Sequence, residues 1–104
     1  MQQKRPPKHA DVLGEIRQRM RAGAYLETVH AQIRMRQRRI LRAEVEYVLL
    51  TGQRELRKDE FAANGSEWKY AVRGWTLDHD RELRIVVILP DDAVAIITAI
   101  DLTG

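Results

Sequence analysis

Hydrophobic periodicity changes once along this chain, at Gly52, and that change narrows the fold to one class. Before it, apolar residues recur every three to four positions, as on helices; after it they alternate, as on strands. Val12, Leu13, Ile16 and Met20 share a helical face, with Asp11 placed to cap that helix and Gly23 to stop it. Thr28 can cap a second helix running to about Arg38, in which Val29, Ile33 and Ile40 offer a face for burial. A third helix, about Arg42 to Thr51, presents Val45, Val48 and Leu49 and ends at Gly52. Gln53 to Lys58 then reads as a short first strand, and Asp59 to Ser66 as a loop with Asn64-Gly65 as its turn. Glu67 to Leu77, Arg81 to Leu89 and Ala93 to Leu102 alternate and are joined by the turns Asp78-His79-Asp80 and Pro90-Asp91-Asp92.

Helices followed by strands with short turns predict an α+β domain. Two or three N-terminal helices would cover one face of a three- to four-stranded antiparallel meander, leaving the other face free. Parity sorts that sheet: Leu83, Ile85, Val87 and Leu89 share one side of their strand, and Arg84, Val86 and Ile88 the other. In the strand before it, Lys69, Arg73 and Trp75 share a face, and Trp68, Tyr70 and Val72 the opposite one. With 104 residues the chain suits one domain. We expect that domain over residues 9–104, after a disordered basic tail over residues 1–8 (MQQKRPPK). The absence of cysteine excludes disulfides and thiolate zinc sites. No apolar run approaches the roughly 18 residues of a membrane span, and the basic N-terminus lacks a signal-peptide core, so the expected location is the cytoplasm.

Charge is segregated. Residues 1–54 hold 12 Lys+Arg against 5 Asp+Glu, and residues 55–104 hold 6 against 10. A basic helical half joined to an acidic strand half sets up a local positive field, which favours nucleic acid or an acidic protein as partner. The field centres on the stretch His30 to Ile40, which carries His30, Arg34, Arg36, Arg38 and Arg39 and no acid. His30, Arg34 and Arg38 are four residues apart and stack along one helical face.

These residues carry a resemblance. The chain resembles a bacterial family catalogued as domain of unknown function 4258, which typically shows H-A-x-x-R-M-x-x-R-x-I on a helix, then an acidic amphipathic helix, a strand ending near V-x-G, an L-x-V-V strand and an I-I-T strand. His30, Ala31, Arg34, Met35, Arg38 and Ile40 match the first block, and Ala43-Glu44-Val45 opens the second. Val72-Arg73-Gly74, Leu83 to Val87 and Ile96-Ile97-Thr98 match the strands. The likeness spans roughly residues 11–102 and is most specific in the helical block. Arg39 stands where that family often has Gly, and Leu41 where it often has a Ser or Thr cap. The family looks related to the RelE/ParE/MqsR toxins, whose members include metal-independent ribonucleases. The resemblance therefore implies a toxin-like, RNA-acting protein, with an antitoxin as a further partner, and a candidate metal-independent endoribonuclease.

Such chemistry needs a proton acceptor, a proton donor and cations for the phosphorane. Histidine and arginine suit these tasks. The candidate catalytic set is His30, Arg34, Arg73 and Arg84. The candidate nucleic-acid-binding set is Arg38, Lys69, Tyr70 and Thr98. His9, His30 and His79 lack metal-ligand spacing, so no metal and no cofactor are expected. Two other readings compete. In one, the basic row is a non-catalytic module that docks on nucleic acid or on an antitoxin. In the other, an exposed sheet edge or face makes a homodimer.

Overall fold

The computed structural model describes residues 5–62 and 67–103, so the expected Asn64-Gly65 turn lies outside the described residues. Helices form where the spacing places them: α1 over Val12–Arg21, α2 over Val29–Arg38 and α3 over Arg42–Thr51. Their starts are set by side chains. The Asp11 carboxylate accepts from the Gly14 N–H at 3.0 Å, and the Thr28 hydroxyl accepts from the Ala31 N–H at 3.1 Å. Leu41, before α3, has no side-chain acceptor, but the Glu44 carboxylate reaches back to accept its N–H at 2.8 Å. That is one half of a capping box. At the other end of α2, Arg39 takes the left-handed conformation with φ 54°, a position glycine fills without steric cost.

Six strands make one sheet: β1 (Tyr25–Glu27), β2 (Gln53–Arg54), β3 (Glu60–Ala62), β4 (Glu67–Trp75), β5 (Glu82–Ile88) and β6 (Val94–Asp101). Their order is β1-β6-β5-β4-β2, with β3 also paired to β4. The α+β class holds, but the sheet is larger than expected and mixed. β1 lies parallel to β6, with Tyr25 opposite Val94, while the other pairs are antiparallel. The helices are not all N-terminal to the strands, because β1 falls between α1 and α2. Three residues are too few to show a period of two, so β1 left no pattern; its partner β6 makes it a strand. The stretch read as one strand from Gln53 to Lys58 divides, and Leu56–Lys58 coils into a 3-10 turn. Glu60–Ala62, read as loop, pairs with the first half of β4.

All three helices pack on one face of the sheet. Val12, Ile16 and Met20 from α1, Ala31 and Met35 from α2, and Val45, Val48 and Leu49 from α3 meet Tyr70, Val72, Leu83, Ile85, Val87, Ile96 and Ala99 in one buried cluster. Registers Arg73↔Arg84, Val86↔Thr98 and Arg84↔Ile100 put those residues on the opposite face, which no helix covers among the described residues. The helical layer and β4 close on each other through glycines. A Cβ on Gly74 would lie 2.9 Å from the Gly52 Cα, so backbone meets backbone there.

The described part of the expected tail lies across Trp68 and Tyr70. Trp68 Nε1 donates to the Pro6 carbonyl at 2.8 Å, the His9 N–H donates to the Tyr70 hydroxyl at 3.1 Å, and Lys8 Nζ lies 2.9 Å from Asp59. No helix of the described residues is long and apolar enough to cross a membrane.

Candidate nucleic-acid interface

The position of α2 follows from its two buried residues. Ala31 and Met35, one turn apart, point inward, and the Thr28 N–H bonds to the Ile96 carbonyl at 3.0 Å, laying the helix along β6. The burial face is therefore not the one expected. Ile40 is buried, but Val29 is 72% exposed and Ile33 45% exposed. The methyl of Ala31 allows close approach of helix to sheet, and that fixes the rotation of α2.

This rotation sends the basic row outward. His30, Arg36 and Arg39 are exposed and Arg34 is half-buried at the rim, where its Nη1 donates to Gln37 Oε1 at 3.1 Å. Arg38 is otherwise engaged. Its Nη1 donates to the Ala99 carbonyl at 2.6 Å and ties α2 to β6. Salt bridges of the described residues use Lys8, Arg19, Arg42, Arg54, Arg73, Arg81 and Arg84, and not Arg34, Arg36 or Arg39.

The arginines of the sheet have a different setting. Arg73 and Arg84 sit on the uncovered face, across the sheet from α2, so they do not converge with His30 and Arg34. They are also neutralised. Arg84 Nε and Nη2 bond to the two Glu55 oxygens at 2.6 and 2.8 Å. Arg73 Nη2 bonds to Glu82 at 2.9 Å and its Nη1 lies 3.4 Å from Glu55. Hydrogen bonding from Arg84 holds the Glu55 carboxyl below the usual carboxylate range, and Arg73 does the same for Glu82. Lys69 and Thr98 lie on that same uncovered face, Lys69 opposite Glu60 and Thr98 opposite Val86. Tyr70 faces the core, 2% exposed, and has no ring face to offer a base. The expected eight residues are thus three groups: His30, Arg34 and Arg38 on α2; Lys69, Arg73, Arg84 and Thr98 beyond the sheet; Tyr70 between the layers.

One residue that orders the α2 face gave no sequence signal. Arg81 donates from Nη1 to the Arg38 carbonyl at 3.1 Å and from Nη2 to the Arg39 carbonyl at 2.8 Å. The same guanidinium meets Glu44 at 2.6 Å and Asp101 at 3.3 Å. It caps the C-terminal carbonyls of α2 with charge of the favourable sign. It also joins the end of α2, the start of α3 and the end of β6. Its separation from Arg38 in the chain hides that role.

Comparison with known proteins places this chain in a family. Residues 28–101 match the family described as Domain of unknown function (DUF4258), from the cap of α2 to the end of β6. No curated protein and no solved structure matches the chain.

Proposed function

This chain belongs to the family described as Domain of unknown function (DUF4258), and from that premise we propose that it binds RNA through the outer face of α2. The observation that carries this reading is the contrast between two sets of arginines. Those of the sheet, Arg73 and Arg84, are held by Glu55 and Glu82, whereas among the described residues Arg34, Arg36 and Arg39 have no carboxylate in their salt-bridge sphere. Guanidinium groups without local counter-charge are suited to phosphate oxygens. Helices packed on one face of a small sheet support a fold relation to RelE/ParE-type toxins. Binding is the supported activity: His30 and Arg34 are separated by the sheet from Arg73 and Arg84, so the four do not form one centre for cleavage.

The test is the salt dependence of binding to a short single-stranded RNA. Each phosphate contact on a single strand contributes about −0.7 to the slope of log K against log salt. Replacing both Arg34 and Arg36 with Gln should weaken binding and flatten the slope by about 1.4. A slope that is flat in the parent protein removes the phosphate contacts. A steep slope left unchanged in the double variant removes their assignment to α2.

One observation favours a second reading, an acidic protein partner of antitoxin type. Val29 and Ile33 are exposed one turn apart beside His30 and Arg34, and phosphate contact makes no use of such apolar surface. Ile33→Ser separates the two: RNA binding survives it, whereas docking of an acidic amphipathic helix does not.

A further inference from the structure

Across the molecule from the basic row, the end of α3, β2, the end of β4 and the turn after it enclose a groove of about 450 Å³. Its size lies within the range of small-molecule sites. The floor is bare backbone, because Gly52 and Gly74 are pressed together and neither has room for a Cβ. One wall is aromatic. Trp75, 41% exposed, stacks with His79, their ring centroids 6.1 Å apart and their planes 27° apart.

That wall is held in place by a constrained turn. His79 has a left-handed backbone with φ 55°. Its N–H donates to the Thr76 carbonyl at 2.9 Å, and the buried Thr76 hydroxyl donates to Asp80 at 2.6 Å. A non-glycine residue in this conformation, fixed by buried polar bonds, persists only where its surroundings determine it. Here its effect is to hold an imidazole against an indole that solvent reaches.

The remaining lining sets the ligand's chemistry. Gln53 brings an amide and Tyr47 a phenol to the groove. Arg73 is balanced by Glu55 and Glu82 and Arg54 by Asp59, so among the described residues the groove has paired charges and no free cation for an isolated anion. A flat face, hydrogen-bonding groups of both polarities and no charge excess suit a planar, neutral, edge-polar ring. We infer that this groove binds a nucleobase stacked on Trp75, with Gln53 and Tyr47 at its edge. The inference goes beyond the α2 reading and rests on it only where the base belongs to an RNA strand; a free nucleoside presents the same ring.

The experiment uses the full chain carrying Trp68→Phe, so that Trp75 is the sole indole. Its fluorescence is titrated with adenosine, guanosine, cytidine and uridine, and separately with single-stranded RNA. Amide chemical shifts of 15N-labelled protein locate the contact. Saturable quenching by nucleosides, with shifts at Gly52, Gly74 and His79, is the expected result. Purines should bind more tightly than pyrimidines, because stacking grows with ring area. In the Trp68-containing protein, Trp75→Leu should weaken nucleoside binding by about tenfold or more, read by amide shifts. Strand RNA binding more tightly than any nucleoside, with shifts at the groove and at α2 together, assigns the base to RNA. Nucleosides binding as tightly as RNA assign a free ligand. Neither nucleosides nor RNA moving the groove amides up to about 10 mM, the limit of weak binding, overturns the inference. The double replacement of Arg34 and Arg36 with Gln keeps the two proposals apart: it should weaken RNA binding and flatten its salt dependence, and leave nucleoside quenching intact.

Discussion

Arg81→Met should cost about 2–3 kcal/mol of stability, a magnitude that follows from its contacts. The guanidinium makes two hydrogen bonds to the carbonyls that end α2, at 3.1 and 2.8 Å. With a charged donor, each is worth about 1.5 kcal/mol or more. Its ion pairs with Glu44 and Asp101 involve side chains about one-fifth exposed, so each adds about 0.5 kcal/mol. Against this gross gain of roughly 4 kcal/mol stands the rotamer entropy of a fixed arginine, up to about 2 kcal/mol. Methionine preserves the stem and restores the entropy, leaving the carbonyls and two carboxylates to find water. Urea unfolding followed by circular dichroism gives the difference directly. The slope with denaturant should be unchanged, and Tm should fall by about 10–20 °C for a domain of this size. Arg81→Lys should fall between the two proteins, since an ammonium keeps the charge but cannot span both carbonyls and both carboxylates. A double-mutant cycle with Glu44→Gln should show coupling of at least about 0.5 kcal/mol. A loss below about 0.5 kcal/mol for Arg81→Met, the ordinary range of surface substitutions, would refute the capping argument.

Other expectations are more local. Arg39→Gly should stabilise the protein by about 0.5–1 kcal/mol, because the left-handed strain of about 1–2 kcal/mol exceeds the added backbone entropy of glycine; a lower urea midpoint would contradict this. Leu41→Ser should complete the capping box begun by Glu44 and raise stability by about 1 kcal/mol, again read from urea midpoints. Glu55→Gln bears on pH. The Glu55 carboxyl is held low by Arg84, so its folded pKa is below its unfolded one. Its stabilisation is then present above the unfolded value of about 4.5 and is lost as pH falls through the folded value. The stability gap between parent and variant should be wide at pH 7 and narrow towards pH 3; a gap independent of pH would remove the ion-pair account.

The helices were legible because each carries its own signals. Asp11, Thr28 and Gly52 mark their boundaries within the residues they bound, and α3 begins and ends where its spacing predicts. β5 and β6 were legible for the same reason. β1 and β3 were not, since a three-residue strand is defined by its neighbour: Leu26 and Phe61 become strand residues only beside Ala95 and Trp68. The rotation of α2 was misread because Val29 and Ile33 outrank Ala31 on any scale of hydrophobicity, whereas packing against β6 selects the smaller residue. In the candidate interface, His30 and Arg34 were legible as a pair by their spacing. Their separation from Arg73 and Arg84 was not, because parity sorts residues within a sheet without saying which face the helices take.

The arginines carry the remaining argument, since the sequence offers them as equals. By charge segregation alone, the whole helical half carries the positive field. The structure shows instead that the strand half spends much of its acid on its own elements and their neighbours: Glu55 and Glu82 on Arg73 and Arg84, Asp101 on Arg81, and Asp59 on Arg54 and Lys8. Among the carboxylates of the helical half, Glu27 goes to Arg42, Glu44 to Arg81 and Glu15 to Arg19. Among the described residues these pairings leave Arg34, Arg36 and Arg39, clustered at α2, outside any ion pair. Those side chains spread over the solvent side of α2, and a flexible strand of phosphates can reach them. For the same reason the groove beside Trp75, where Arg73 has Glu55 and Glu82 and Arg54 has Asp59, is selective for the shape and edge of a ring and not for charge.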